Sequence, residues 1–367
     1  VGTAVNYNPL REEASVTDTR RQFLIKGSVV VGGAVVGGNI LAGCGDDDSE
    51  DEGGRQTAQV NLGMNWVKDV EFAGYYIGIE EGFYADNGVQ LELISGGPNA
   101  PESVQMVASG TANIGISSDL IQIFDTIEKG TPLVMMAAKF QQSPAGLASL
   151  PDNPVRTAED MVGKRIGGPQ GDQRFFDAVL AVNGLKKGDY EFVPTGFDPE
   201  PLAKGDVEAL SVFVTNQPLT LESQGVDVVA VTYAEMGLAS YADILYAERD
   251  YIESNRETVV GFLRGTIKGW ETQNSSPEMG ARLTVEQYGA DLGLAVEDEV
   301  REAKAMIPLM QGPVTKEKGI FWMSADELGG PMYDALRASG RKNLPSVNEV
   351  LDLSLIEDAY GGKTSLI

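Results

Sequence analysis

From about residue 58 the chain alternates short β-rich runs with stretches of helical periodicity, an order that restricts it to α/β folds with mainly parallel sheets. Residues 58–64 alternate as a half-buried strand does. Residues 72–84 carry apolar side chains at helical spacing, and Asn87-Gly88 closes that helix before a second strand over 89–94. Further strands are predicted over 112–116 and 132–138, with helices over 102–108 and 120–127. A similar series restarts at residue 164, with strands over 164–167, 191–194, 207–214 and 228–233 around helices over 174–182 and 218–222. From Arg249 the pattern is helical, with 257–273 its longest amphipathic stretch and breaks at Pro308, Pro313 and Gly330-Pro331. Two α/β series followed by a helical tail predict two lobes.

The segment before residue 58 has a different character. Arg20 and Arg21 precede an apolar stretch rich in Val, Gly and Ala, which ends in Leu41-Ala42-Gly43-Cys44. Adjacent arginines, a short apolar run and small residues before a cut point are the layout of a secretory signal, and the glycine pairs at 32–33 and 37–38 disfavour a spanning helix. The order resembles a twin-arginine export signal over 1–43 that ends in a lipoprotein box. That resemblance implies that Arg20 and Arg21 are read by the export machinery and that Cys44 is lipidated. Residues 44–57 are acidic and Gly-containing, and are expected to be a solvated tether.

Composition removes several chemistries. The chain has no histidine and one cysteine, so it offers no Ser-His-Asp or Cys-His relay, no His-ligated zinc, no disulfide within the chain and no thiolate cluster. No cofactor and no metal are expected. A net charge of −26 argues against a nucleic-acid partner, because binding there displaces counterions with Lys and Arg. It fits either a high-salt environment, where screening relieves self-repulsion, or an acidic surface facing the outside of a cell.

Several fragments carry a resemblance. Gly82-Phe83-Tyr84-Ala85-Asp86-Asn87-Gly88-Val89, Ser109-Gly110-Thr111-Ala112-Asn113-Ile114-Gly115-Ile116, Gly163-Lys164-Arg165-Ile166-Gly167 and Gly205-Asp206-Val207-Glu208-Ala209 stand in an order and spacing that hold from about 58 to 270. This resembles the solute-binding proteins of ABC importers, in the branch serving nitrate, sulfonates, taurine and thiamine-pyrimidine precursors. The resemblance implies a periplasmic binding protein type II fold: two lobes joined by two crossover strands, with lobe 1 over 58–142 and 238–367 and lobe 2 over 143–237. It implies a small-molecule ligand in the interlobe cleft, a permease and its ATPase as partners, a monomer, and a place outside the cell membrane. Relatives that make the thiamine pyrimidine use their own histidine and a cysteine-rich iron site, both missing here, so an enzyme on this scaffold is disfavoured.

In such lobes ligands sit beyond the carboxyl ends of strands, which makes the strand-to-helix turns the candidate site. The first turn offers Asn65, Trp66 and Glu71, with Tyr75 on the helix that follows. Trp66 either stacks on a flat ring or staples the loop to its lobe; a Trp follows the first strand in the pyrimidine branch too, but the branch's nearby histidine is missing. Ser117 and Ser118 precede a helix start, where an ordinary cap competes with ligand binding. Gln141 and Gln142 stand where the chain enters the second lobe, either as in-plane partners of a heterocycle or as solvated linker residues. Gln170, Asp172 and Gln173 open a helix in a Gly-bearing loop without a nucleotide-cradle spacing, and Asn216 is expected to face them. These turns are rich in carboxylates, amides and aromatics but poor in cations. They favour a neutral or weakly basic nitrogen-bearing ring, of the thiamine-pyrimidine or riboflavin kind, over an oxyanion such as a sulfonate, taurine or nitrate.

Overall fold

The computed structural model describes residues 57–367; the twin arginines Arg20 and Arg21, Cys44 and most of the acidic tether lie outside the described residues. Ten strands form two five-stranded sheets. The first takes β1 (Ala58–Gly63), β2 (Val89–Ile94), β3 (Ile114–Ser117), β4 (Leu133–Phe140) and β10 (Ala242–Glu248) in the order β2-β1-β3-β10-β4. The second takes β5 (Ala145–Ser149), β6 (Arg165–Gly168), β7 (Glu191–Pro194), β8 (Ala209–Phe213) and β9 (Val229–Thr232) in the order β7-β6-β8-β5-β9. The α/β architecture is as expected, and the sheets are mixed. β1 runs parallel to β2 and β3, and β6 parallel to β7 and β8, whereas β10 and β5 each lie antiparallel between their two neighbours.

The chain passes from the first sheet to the second between Phe140 and Ala145 and returns between Thr232 and Ala242. Gln141 and Gln142 stand at the first passage, where their amides are used by the protein itself. Gln141 Nε2 donates to the Trp322 carbonyl at 3.0 Å, and Gln142 Nε2 donates to Thr232 Oγ1 at 2.9 Å, tying the two passages together.

Apolar side chains cover both faces of each sheet, so near-continuous hydrophobic strands such as Leu133–Phe140 are buried along their whole length. The helix Ala73–Glu80 packs closely on the long helix Arg256–Ser275 through Gly74 and Gly78 against Gly265 and Gly269. A Cβ on Gly269 would come within 2.0 Å of the Gly74 carbonyl oxygen, so only glycine lets the two backbones meet. This contact fixes the first helix, and with it the turn that carries Asn65, Trp66 and Glu71. Among the described residues no helix is long and apolar enough to cross a membrane.

Candidate functional site

A cleft of about 560 Å³ opens between the sheets, and an inner pocket of about 100 Å³ continues from it. Most of its walls are the turns that follow β1, β2, β3, β6, β7 and β8, at the carboxyl ends of parallel strands, with Ala145 of β5 and Tyr233 after β9 completing them. The first lobe gives Asn65, Trp66, Ser118 and Asp119; the second gives Gln170, Asp172, Phe197 and Gln217.

Two aromatic rings meet across the gap. Trp66 and Phe197 lie edge to face with centroids 4.3 Å apart, although Phe197 is 41 % exposed and follows Gly196 in a left-handed turn. Below them Asn65 Nδ2 donates to Ser118 Oγ at 2.9 Å and to Asp243 Oδ1 at 3.0 Å, while Asn65 Oδ1 is buried without a partner. An acceptor of this kind awaits a donor. Arg174 is the one cation lining the cleft among the described residues. Its guanidinium stacks on Phe175 and bonds Asp119 of the other lobe at 3.1 Å, so much of its charge is already matched. Asp172 accepts from Ser211 Oγ at 2.6 Å, and burial holds its carboxyl above the usual range.

The sequence-derived candidates divide accordingly. Asn65, Trp66, Glu71, Ser118, Gln170, Asp172 and Asn216 are brought together at the cleft or its inner pocket. Ser117 is fully buried and donates to the Asp119 carbonyl, which makes it part of the helix start, where Asp119 accepts from Gln122 N. Tyr75 is buried against Trp270, facing the long helix. Gln173 begins the helix Gln173–Val182 but does not line the cleft, and Gln141 and Gln142 bind the passages as described. Sequence reasoning missed Phe197. The signal available was a large aromatic in the turn Thr195-Gly196-Phe197-Asp198-Pro199, where nothing local could bury it.

A buried set of carboxylates lies beside the inner pocket. Asp69 caps the 3-10 turn Val70–Phe72 and Glu71 lies within it, and Glu299 and Glu302 face them from the helix Val296–Met306. Burial is the main cause that raises all four pKa values, Asp69 to about 8 and Glu299 to about 7; Glu299 adds to the effect on Asp69, Asp243 to that on Glu71, and Asp69 to that on Glu302. Tyr76, packed on the same turn, is raised as well. Lys139 is the cation beside them. It is buried, ion-paired with Asp243, and donates to the Glu71 carbonyl at 2.7 Å. Asp243 adopts a left-handed φ of 48° at the start of β10, a conformation that Asp tolerates better than most residues.

Carboxylates with raised pKa values bind protons in the folded chain that the unfolded chain has released. Their stabilising contribution is complete below about pH 4 and is lost as pH rises toward about 8. Urea unfolding in chelator-containing buffer should therefore show stability falling between about pH 5 and 8, with a shallower slope in Asp69→Asn and in Glu299→Gln. A flat profile in the wild type would contradict this. Asp160 and Glu208, whose pKa values are lowered by backbone hydrogen bonds, act only at lower pH.

Known proteins share this architecture. The chain is 23 % identical to the riboflavin-binding protein RibY of Chloroflexus aurantiacus over 78 % of its own length and 82 % of that protein. It is also 23 % identical to the formylaminopyrimidine-binding protein of Halalkalibacterium halodurans, over 75 % and 84 %. A 4-amino-5-hydroxymethyl-2-methylpyrimidine phosphate synthase of Legionella pneumophila is 25 % identical over 62 % and 72 %. The fold matches that of the alkanesulfonate-binding protein SsuA from Xanthomonas axonopodis bound to MOPS, with a TM-score of 0.59 at 15 % identity, covering 80 % of this chain and 99 % of that one. Residues 69–279, more than half the chain, match the model of one family, described as NMT1/THI5 like. The chain belongs to the NMT1/THI5-like family.

Proposed function

We propose that this chain is the solute-binding component of an ABC importer, and that it holds a planar nitrogen-bearing heterocycle, a thiamine-pyrimidine precursor or a flavin-like ring, between its lobes. The observation that carries this reading is the pair Trp66 and Phe197, one from each lobe, above a floor of amides, hydroxyls and carboxylates. A flat ring that displaces the Trp66–Phe197 contact can stack on either aromatic side chain, and its N–H groups meet the unpartnered Asn65 Oδ1. An oxyanion would find Arg174 already paired with Asp119. Ligand contacts from both lobes favour the closed state, which the permease and its ATPase then read. In this reading the chain acts as a monomer without catalysis, and its one cysteine, Cys44, is the lipid anchor that holds it outside the cell membrane.

A thermal-shift and calorimetric screen of the purified protein tests the reading, in high and low salt. 4-Amino-5-hydroxymethyl-2-methylpyrimidine, its formylamino analogue or riboflavin should raise the melting temperature with concentration, and nitrate, taurine and alkanesulfonates should not. A shift confined to the sulfonates or nitrate would keep the transport role and overturn the aromatic-cleft account.

A further inference from the structure

The carboxylates beside the inner pocket are not explained by a heterocyclic ligand. Asp69, Glu71 and Glu302 each bring one carboxylate oxygen to within 4.8 Å of the other two, and all three side chains are at least nine-tenths buried. Two elements assemble them: the turn after β1, through Asp69 and Glu71, and the helix Val296–Met306, whose Glu299 and Glu302 share a face at i, i+3 spacing.

Some oxygens in this group are satisfied. Asp69 Oδ1 accepts from Glu71 N at 3.0 Å, Glu299 Oε2 from Val70 N at 2.9 Å, and Glu302 Oε2 from Asn216 Nδ2 at 2.6 Å. Glu71 Oε1 and Glu302 Oε1 are buried with no partner at all. The charges do not balance either. Lys139 is committed to Asp243 and to a carbonyl, and among the described residues none of the four carboxylates forms an ion pair. Buried carboxylates in this state need protons or a cation.

The donor set says which cation. Three carboxylate oxygens, with no imidazole or thiolate among the donors, suit a hard ion rather than zinc or copper. The three carboxylates are buried and come from two separate elements, which suits Ca²⁺, an ion that accepts flexible carboxylate cages, better than Mg²⁺, which demands near-octahedral geometry and keeps several of its waters. We propose that Asp69, Glu71 and Glu302 form a calcium-class cation site that ties the turn after β1 to the helix Val296–Met306 beneath the cleft. Asn216 of the second lobe bonds Glu302, and Glu71 also lines the inner pocket, so the ion sets the charge that a ligand meets there. The site does not depend on the identity of that ligand.

The test uses the protein freed of metal with a chelator, at pH 8, with CaCl₂, MgCl₂ or choline chloride at matched ionic strength. Calcium should raise the melting temperature of the wild type and of Glu297→Gln, which alters an exposed acid on the same helix, and calorimetric titration should count one ion bound more tightly than the rest. In Glu302→Gln and Asp69→Asn that binding should weaken tenfold or more. The calcium-free melting temperature of Glu302→Gln should equal or exceed that of the wild type, because one repelling charge is gone. An equal calcium increment in all variants would mean screening of the acidic surface and would overturn the site, as would no increment beyond choline chloride. The paired substitutions keep the result readable if one of the two fails to fold.

Discussion

Lys139→Met is expected to cost about 3–5 kcal/mol of folding stability, the usual consequence of removing one partner of a buried ion pair. The ammonium is 1 % exposed, pairs with a carboxylate of Asp243 that is 2 % exposed, and sits against the rings of Phe140 and Trp270. Methionine restores much of the volume but none of the charge. Asp243 is then left without its cationic partner in a dry interior, with Glu71 and Asp69 close enough to feel the same loss. The measurement is chemical denaturation of the wild type, Lys139→Met, Asp243→Asn and the double variant. Asn keeps a side chain that tolerates the left-handed backbone at 243. The double variant should recover most of the lost stability, giving a large coupling energy. A Lys139→Met protein as stable as the wild type would show that the pair contributes nothing and that the cluster is neutralised by other means.

The second large effect is on binding. Trp66→Ala should weaken affinity for the heterocycle by about 1–3 kcal/mol, roughly 5- to 150-fold, if the indole stacks on the ligand. Phe197→Ala should act in the same direction, whereas Phe197→Tyr, which keeps the ring, should bind nearly as the wild type does. The edge-to-face contact gives a separate, ligand-free readout, because removing the Phe197 ring opens Trp66 to a soluble quencher. Affinity unchanged in both folded alanine variants would remove the aromatic walls from the site. Better quenching without any loss of affinity would confirm the contact and reject its role in binding.

Much of the scaffold was legible in the sequence. The runs over 58–64, 89–94 and 191–194 carry the alternation or β-branched content of strands, and the glycines that end the helices mark their limits. Ala145–Ser149 was not legible. Its Ala-Gly-Leu-Ala-Ser sequence has no β-branched residue, and its small side chains answer to a tertiary demand, since a Cβ at Gly146 would meet the Val231 carbonyl oxygen at 2.1 Å. The turns after strands were a sound guide to the cleft, because a parallel strand must deliver its following residues to one edge of the sheet. They were a poor guide to what each amide does there: Gln141 and Gln142 are held by partners far away in sequence. Glu299 and Glu302 were illegible for a related reason. Within Val296–Met306 they look like the other acids of a solvated face, and only the packing of that helix on the turn at Asp69 buries them.

The two strand orders also bear on how the chain acquires its shape. Every strand of the second sheet lies between residues 145 and 232, so that sheet forms from neighbours in sequence. The first sheet receives its fifth and last member from residues 242–248, which insert between β3 and β4 after the whole of the other has been synthesised. Until then the facing edges of β3 and β4 have no strand between them, and bringing β10 to them closes a loop of about a hundred residues. The half of the molecule that leaves the ribosome first is thus the last to be completed, and its unfinished edges are where a nascent chain is most exposed to mispairing.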